Sequence, residues 1–130
     1  MLKLINEDWL HPVVEGTLKS DFNGLTNVPI DSAKAIWAKT KEGWQIAGLP
    51  GAGYTLVENR LIADALHEVS EEMGVDLVQC KYSYGKYSNQ NNWKYFQRFK
   101  IASEEFETSQ SEGVYNPVIS VQNSYDGTGS

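Results

Sequence analysis

The chain has a single cysteine, Cys80, among 130 residues. No internal disulfide can form, so packing and hydrogen bonds hold the fold, and a reducing compartment fits. Cations are also scarce: 11 Lys and Arg stand against 17 Asp and Glu, a formal charge of −6. Such a surface repels a phosphate backbone, which argues against duplex nucleic acid as a principal partner unless metal ions or a local basic patch intervene. No run of about 18 apolar residues occurs. The first residues, "MLKLINEDWLHPVV", are acidic where a secretory leader would start basic and continue apolar. A soluble, cytoplasmic protein without a membrane partner is therefore expected. Internal repeats and low-complexity blocks are lacking as well.

What is present suffices for one core. At 41% hydrophobic content, the length suits one domain and is short for two. That domain is expected over residues 1 to 122, with "NSYDGTGS", residues 123 to 130, as a disordered tail too poor in apolar residues to dock. Near the start, "HPVVEGTL" reads as a strand and "DFNGLTNVPID" as a loop rich in turn formers. The runs "AKAIWAK" and "WQIAGL" then read as a hairpin with Gly43 in its turn. A glycine-bearing loop, "PGAGYTLVEN", leads to a helix over Asn59 to Met73, whose apolar stripe is Ile62, Ala65, Leu66, Val69 and Met73. Gly74 has the position of a C-terminal cap. Two strands follow, "DLVQCKYSYGKY" and "NWKYFQRFKIA", around a polar "SNQN" turn. A last strand, "YNPVISV", is restricted by Pro117 to an edge or a strand start. Strands, one strong helix and more strands make a mixed α/β or α+β domain.

The helix raises the functional question. At about 100° per residue, Asp64, Glu68, Glu71 and Glu72 share a face roughly 120° from the apolar stripe. Like charges one turn apart destabilise an isolated helix by roughly 0.2–0.5 kcal/mol per pair. An acidic helix face is most often just solvated. The alternative is a cation. Mg²⁺ takes oxygen ligands through a few carboxylates plus waters and substrate phosphates, and Glu68 and Glu72, four apart, can reach one ion while Glu71 serves a second or orients a water.

The string "HEVSEEMGV", residues 67 to 75, resembles the core of the Nudix box, GX5EX7REUXEEXGU with U a bulky aliphatic residue. Glu68, Val69, Glu71, Glu72, Gly74 and Val75 match, Gly53 lies at the spacing of the first glycine, and "WQIAGLPGAG" is similar to the family's hairpin strand and proline-glycine loop. Two positions depart from the pattern. His67 stands in place of the arginine, and strict spacing puts the first glutamate on Asn59, whereas one extra residue before His67 would put it on Glu58. The resemblance implies a Nudix-like α/β/α sandwich with a mixed sheet. The usual C-terminal helix has no obvious counterpart, so the second covering layer is absent, formed by residues 1 to 32, or supplied by another chain, which leaves a homodimer open.

By the same resemblance, the activity is metal-dependent hydrolysis of a nucleoside diphosphate linked to another group, with Mg²⁺ or Mn²⁺ as cofactor and a nucleotide-type small molecule as substrate. Glu68, Glu71 and His67 would be catalytic. Glu68, Glu71 and Glu72 would hold metal, joined by a downstream glutamate for which Glu112 is placed plausibly and Glu104, Glu105 and Glu107 compete. Gly53, Glu58, Trp93 and Tyr95 are the substrate-binding candidates, the two aromatics through base stacking, although alternating aromatics are more often half-buried strand residues. A proline that ADP-ribose-hydrolysing members carry after the box has no match, since none occurs between Pro50 and Pro117. Two other classes stay open: a Nudix-fold nucleotide sensor without turnover, and a small acidic inhibitor of a basic partner. His11 and Cys80 show no catalytic partner in the sequence.

Overall fold

In the computed structural model, residues 1–80, 93–102 and 117–126 are described. Among these residues, seven strands and one α-helix follow in chain order: β1 (Leu2–Lys3), a 3-10 turn (Asp8–Leu10), β2 (Val13–Phe22), β3 (Leu25–Thr40), β4 (Gly43–Gly48), α1 (Asn59–Met73), β5 (Asp76–Gln79), β6 (Lys94–Ala102) and β7 (Val118–Ser124). The strands form two sheets, ordered β1-β5-β6-β7 and β2-β3-β4, and only β1 with β5 pairs in parallel. The class is mixed α/β, dominated by strands.

The expected hairpin is present, with Thr40 opposite Gly43 and Gly43 at φ 104°. The segment "DFNGLTNVPID" is not a loop. It is the far end of a long β2–β3 ribbon that reverses at Asn23 and Gly24, with φ of 48° and 82°. Positive φ at both central residues is the tight hairpin turn that Asn-Gly favours, because its twist matches that of the flanking strands. Residues 1 to 32 therefore supply strands and a 3-10 turn, not a covering helix layer.

The core lies where the inner faces meet. Alternation puts Val13, Ile36 and Ala38 inward from one sheet and Leu77, Tyr95 and Phe99 from the other, with Trp9, Leu10 and Tyr125 between them. Trp9 and Phe99 pack with ring centroids 6.2 Å apart, at 54°. Fully burying each such side chain contributes about 1.5–3 kcal/mol. Buried Gln79 and Gln97 satisfy each other, Nε2 of Gln79 donating at 2.8 Å to Oε1 of Gln97. The Gln79 Oε1 accepts from the Ile5 and Asn6 amides, which ties the segment after β1 to the sheet.

α1 spans the expected residues and ends at Gly74 with φ 65°, whose amide donates to the Glu71 carbonyl. It packs on β5, β1 and the 3-10 turn. Its buried face differs from the apolar stripe read from the sequence. Asn59, Ala63, Leu66 and Ser70 are buried and Ile62 is partly so, whereas Ala65, Val69 and Met73 are exposed. The stripe is displaced because Asn59 finds hydrogen-bond partners in the interior and Ser70 satisfies its hydroxyl on the His67 carbonyl of its own helix, so both polar residues can be buried, which hydrophobic periodicity cannot register.

A third correction concerns the expected tail. Asn123 and Ser124 complete β7, and Tyr125 is fully buried, so the packed domain continues through at least residue 126. Gly48 makes room for this crossing: a Cβ there would lie 2.6 Å from the Asp126 Cα and 2.8 Å from the Tyr125 carbonyl oxygen.

Candidate functional site

With the buried face of α1 set by Asn59, Ala63, Leu66 and Ser70, Glu68 points almost directly away from the core at about 100° per residue. Glu71 and Glu72 flank it within about 60°. All three are exposed. Among the described residues, no hydrogen bond or ion pair engages the carboxylates of Glu68 and Glu72. Glu71 Oε1 lies 3.6 Å from the Met1 ammonium, an exposed contact. That ammonium is held mainly by the Val75 carbonyl at 2.9 Å and by Asp76 Oδ1 at 3.3 Å. Lys3, bonded to Asp76, and then the ammonium hold the Asp76 carboxyl below its ordinary pKa.

No group of three or more His, Cys, Asp or Glu side chains among the described residues is gathered to hold a metal ion. The donor set still suits Mg²⁺ in kind, because that ion uses one or two carboxylates and completes its shell with water and phosphate. Glu68 and Glu72, one turn apart and turned to solvent, supply such a pair. His67 is exposed, and its imidazole makes no hydrogen bond among the described residues. Its backbone carbonyl accepts from the Ser70 hydroxyl at 2.7 Å. His67 therefore holds none of the glutamates in place.

The other sequence candidates lie elsewhere. Asn59 is 1% exposed. Its amide donates to the Tyr125 hydroxyl at 2.6 Å, its Nδ2 donates to the Trp9 carbonyl at 2.8 Å, and its Oδ1 accepts from Asn123 Nδ2 at 2.9 Å. It is a tether between the start of α1, β7 and the 3-10 turn, and its side chain does not reach solvent. Glu58 is half-buried in extended backbone at the N-cap, its carboxylate close enough to the Tyr125 phenol to raise that group's pKa further. Ten residues separate it from Glu68, roughly 15 Å along the helix, so the two cannot share one ion. Gly53 is exposed, with open space where a Cβ would stand, so no steric demand keeps it glycine. Glu112 lies outside the described residues.

Trp93 and Tyr95 are 7% and 3% exposed. Both belong to the core, so neither ring offers a face for base stacking. Trp93 also adopts φ 55°, unusual for a bulky residue. Together with Tyr125 they enclose His11: ring centroids lie 5.8 Å (Trp93), 5.6 Å (Tyr95) and 5.7 Å (Tyr125) from the imidazole. His11 Nε2 and the Tyr95 hydroxyl share a hydrogen bond, whereas Nδ1 is buried without a partner among the described residues. Burial lowers the His11 pKa, the Pro12 backbone opposing the shift, and burial raises those of Tyr95 and Tyr125 well above the ordinary phenol range. Sequence reading missed this cluster because its members come from three segments far apart in the chain.

A groove of about 560 Å³ runs between the inner side of the β2–β3 ribbon and the loop at Ala52. Lys34 stands there, 2.9 Å from Glu15 and 5.8 Å from the Tyr54 ring centroid. None of Glu68, Glu71 and Glu72 lines it. Among the described residues, no helix is long and apolar enough to cross a membrane. No family model, curated protein or solved structure matches this chain.

Proposed function

We propose that the protein is a Nudix-type diphosphatase, hydrolysing a nucleoside diphosphate derivative with Mg²⁺ or Mn²⁺. One observation carries the reading: the box-like string "HEVSEEMGV" falls on a helix that turns Glu68, Glu71 and Glu72 to solvent, after a hairpin and a proline-glycine loop. The same carboxylates packed into the core of the fold would have no such use. When bound, the metal supplies charge neutralisation at the phosphate oxygens and a more acidic water. Glu68 and Glu72 would hold it, leaving Glu71 to accept a proton from the attacking water. Glu58, ten residues away from Glu68, and the buried Trp93 and Tyr95 are not part of this site. The finer assignment to a Nudix-like sandwich rests on the order of hairpin, loop, helix and strand.

His67 and Asn59 favour a second reading, nucleotide binding without turnover, since one replaces a cationic residue of the box and the other is committed to the core. Phosphate release from a panel of nucleoside diphosphate derivatives with Mn²⁺ separates the two. Turnover that Glu68→Gln lowers at least tenfold supports hydrolysis, and saturable nucleotide binding with no turnover supports the second reading.

A further inference from the structure

Two exposed apolar surfaces of the molecule differ in charge. The first is the outer face of the β2-β3-β4 sheet. Register puts Val14, Trp37 and Ile46 in one row across its three strands, with Trp44 opposite Lys39 in the next. Val14, Trp44 and Ile46 are each 47% exposed, and the charged residue at an outward position of these paired segments is a cation, Lys39. Trp37 lies flat on this face because Gly16 has no side chain: a Cβ there would come within 2.9 Å of the Trp37 Nε1. The second surface is a ridge along α1. Leu61, Ala65, Val69 and Met73, four residues apart, are all exposed, Leu61 by 56% and Met73 by 59%. Glu68 and Glu72 border it.

A sheet face carrying two tryptophans is stable when another element covers it, and rows of residues four apart are the ridges by which helices pack. We propose that α1 of a second copy of this chain covers the sheet face, so that copies associate head to tail. Charge selects this pairing. Sheet against sheet would oppose Lys39 with Lys39 and leave both helix ridges bare. Helix against helix would bring the carboxylate rows together. Helix against sheet buries both apolar surfaces and sets Glu68 and Glu72 beside Lys39. Such a contact is heterologous: two copies that each cover the other close into a dimer, and copies that do not close extend into rings or chains. The inference does not depend on hydrolysis, and because metal on Glu68 and Glu72 would compete with Lys39, its test is run in EDTA.

The test is sedimentation velocity at protein concentrations up to about 1 mM, with folding of each variant checked by circular dichroism. Trp44→Asp removes the sheet surface and Met73→Asp the helix surface. Each variant alone should be monomeric, because every copy lacks the same half of the contact. An equimolar mixture should form a 1:1 complex, one partner giving its intact helix and the other its intact sheet. Lys39→Glu and Glu72→Lys, less disruptive to folding, should each weaken association about threefold, the scale of an exposed ion pair, and the double substitution in one chain should restore it. Wild type that stays monomeric, a mixture that fails to associate, or loss of association by only one member of the first pair would overturn the proposal.

Discussion

Replacing Asn59 by glutamate decides between two incompatible demands on one position. Strict box spacing asks for a carboxylate there. The structure instead buries the residue to 1% exposure and uses both ends of its carboxamide, donating to Trp9 and accepting from Asn123. A glutamate is longer, cannot donate, and brings a charge into a site with no cation in its hydrogen-bond set. Leaving a buried charge without a partner costs about 3–5 kcal/mol, which is a large part of the about 5–15 kcal/mol of a typical domain. For a chain of this size each kcal/mol moves the melting temperature by about 4 °C, so Asn59→Glu should melt at least about 12 °C below wild type. Asn59→Asp keeps the shape but brings the same unpaired charge and faces the Trp9 carbonyl with an acceptor, so it should also cost about 3–5 kcal/mol. Thermal unfolding followed by circular dichroism reads both. If Asn59→Glu melted with wild type and also bound Mn²⁺ more tightly, residue 59 would face the helix site, and the tether described here would be wrong.

Gly48→Ala should destabilise by about 3 kcal/mol in urea unfolding, because the new methyl group meets Asp126 and Tyr125 backbone atoms, which cannot rotate away; an unchanged midpoint would contradict the crossing. The lowered His11 pKa means that the fold prefers the neutral imidazole. The stability this contributes is complete above the ordinary value of 6.5 and is lost as pH falls from there toward the folded value. Urea midpoints should therefore drop more for wild type than for His11→Gln between neutral pH and moderately acidic pH, and parallel profiles would remove His11 from the cause. His67→Arg should raise the hydrolytic rate, since a guanidinium has several fixed donors to position a neighbouring carboxylate; a tenfold gain needs only about 1.4 kcal/mol, and an unchanged rate would mean that residue 67 has no part in the site.

Short-range patterns were legible in the sequence. The β3–β4 hairpin with Gly43, the limits of α1 and its Gly74 cap all follow from periodicity and turn chemistry. The Asn23-Gly24 pair was on the page too, but the surrounding Asp, Thr and Pro masked a ribbon whose two strands pair along most of their length. Long-range placement was the difficulty. Which way α1 rolls is decided by Asn59 finding partners inside while Ser70 is satisfied by its own helix, and the role of Tyr125 depends on β7 running beneath the start of that helix. Neither leaves a periodic trace. Trp93 and Tyr95 show the same limit, since an alternating aromatic strand reads alike whether its aromatic face meets solvent, a base or another sheet. At the candidate site the exposure of Glu68, Glu71 and Glu72 follows from their spacing away from the core face, whereas the separation of Glu58 from them depends on helix length and the entry of the chain at the N-cap.

The central claim is that Glu68 and Glu72 hold a divalent ion used to cleave a phosphoanhydride. Its most direct measurement is phosphate release from nucleoside diphosphate derivatives by wild type, Glu68→Gln and Glu72→Gln, each titrated with Mn²⁺. The claim predicts metal-dependent turnover by wild type, with each variant at least tenfold slower and needing more Mn²⁺ for half-maximal rate, while their melting temperatures without metal stay within a few degrees of wild type because both side chains are exposed. Turnover that is equal in all three proteins, or absent from wild type across the panel, would contradict it.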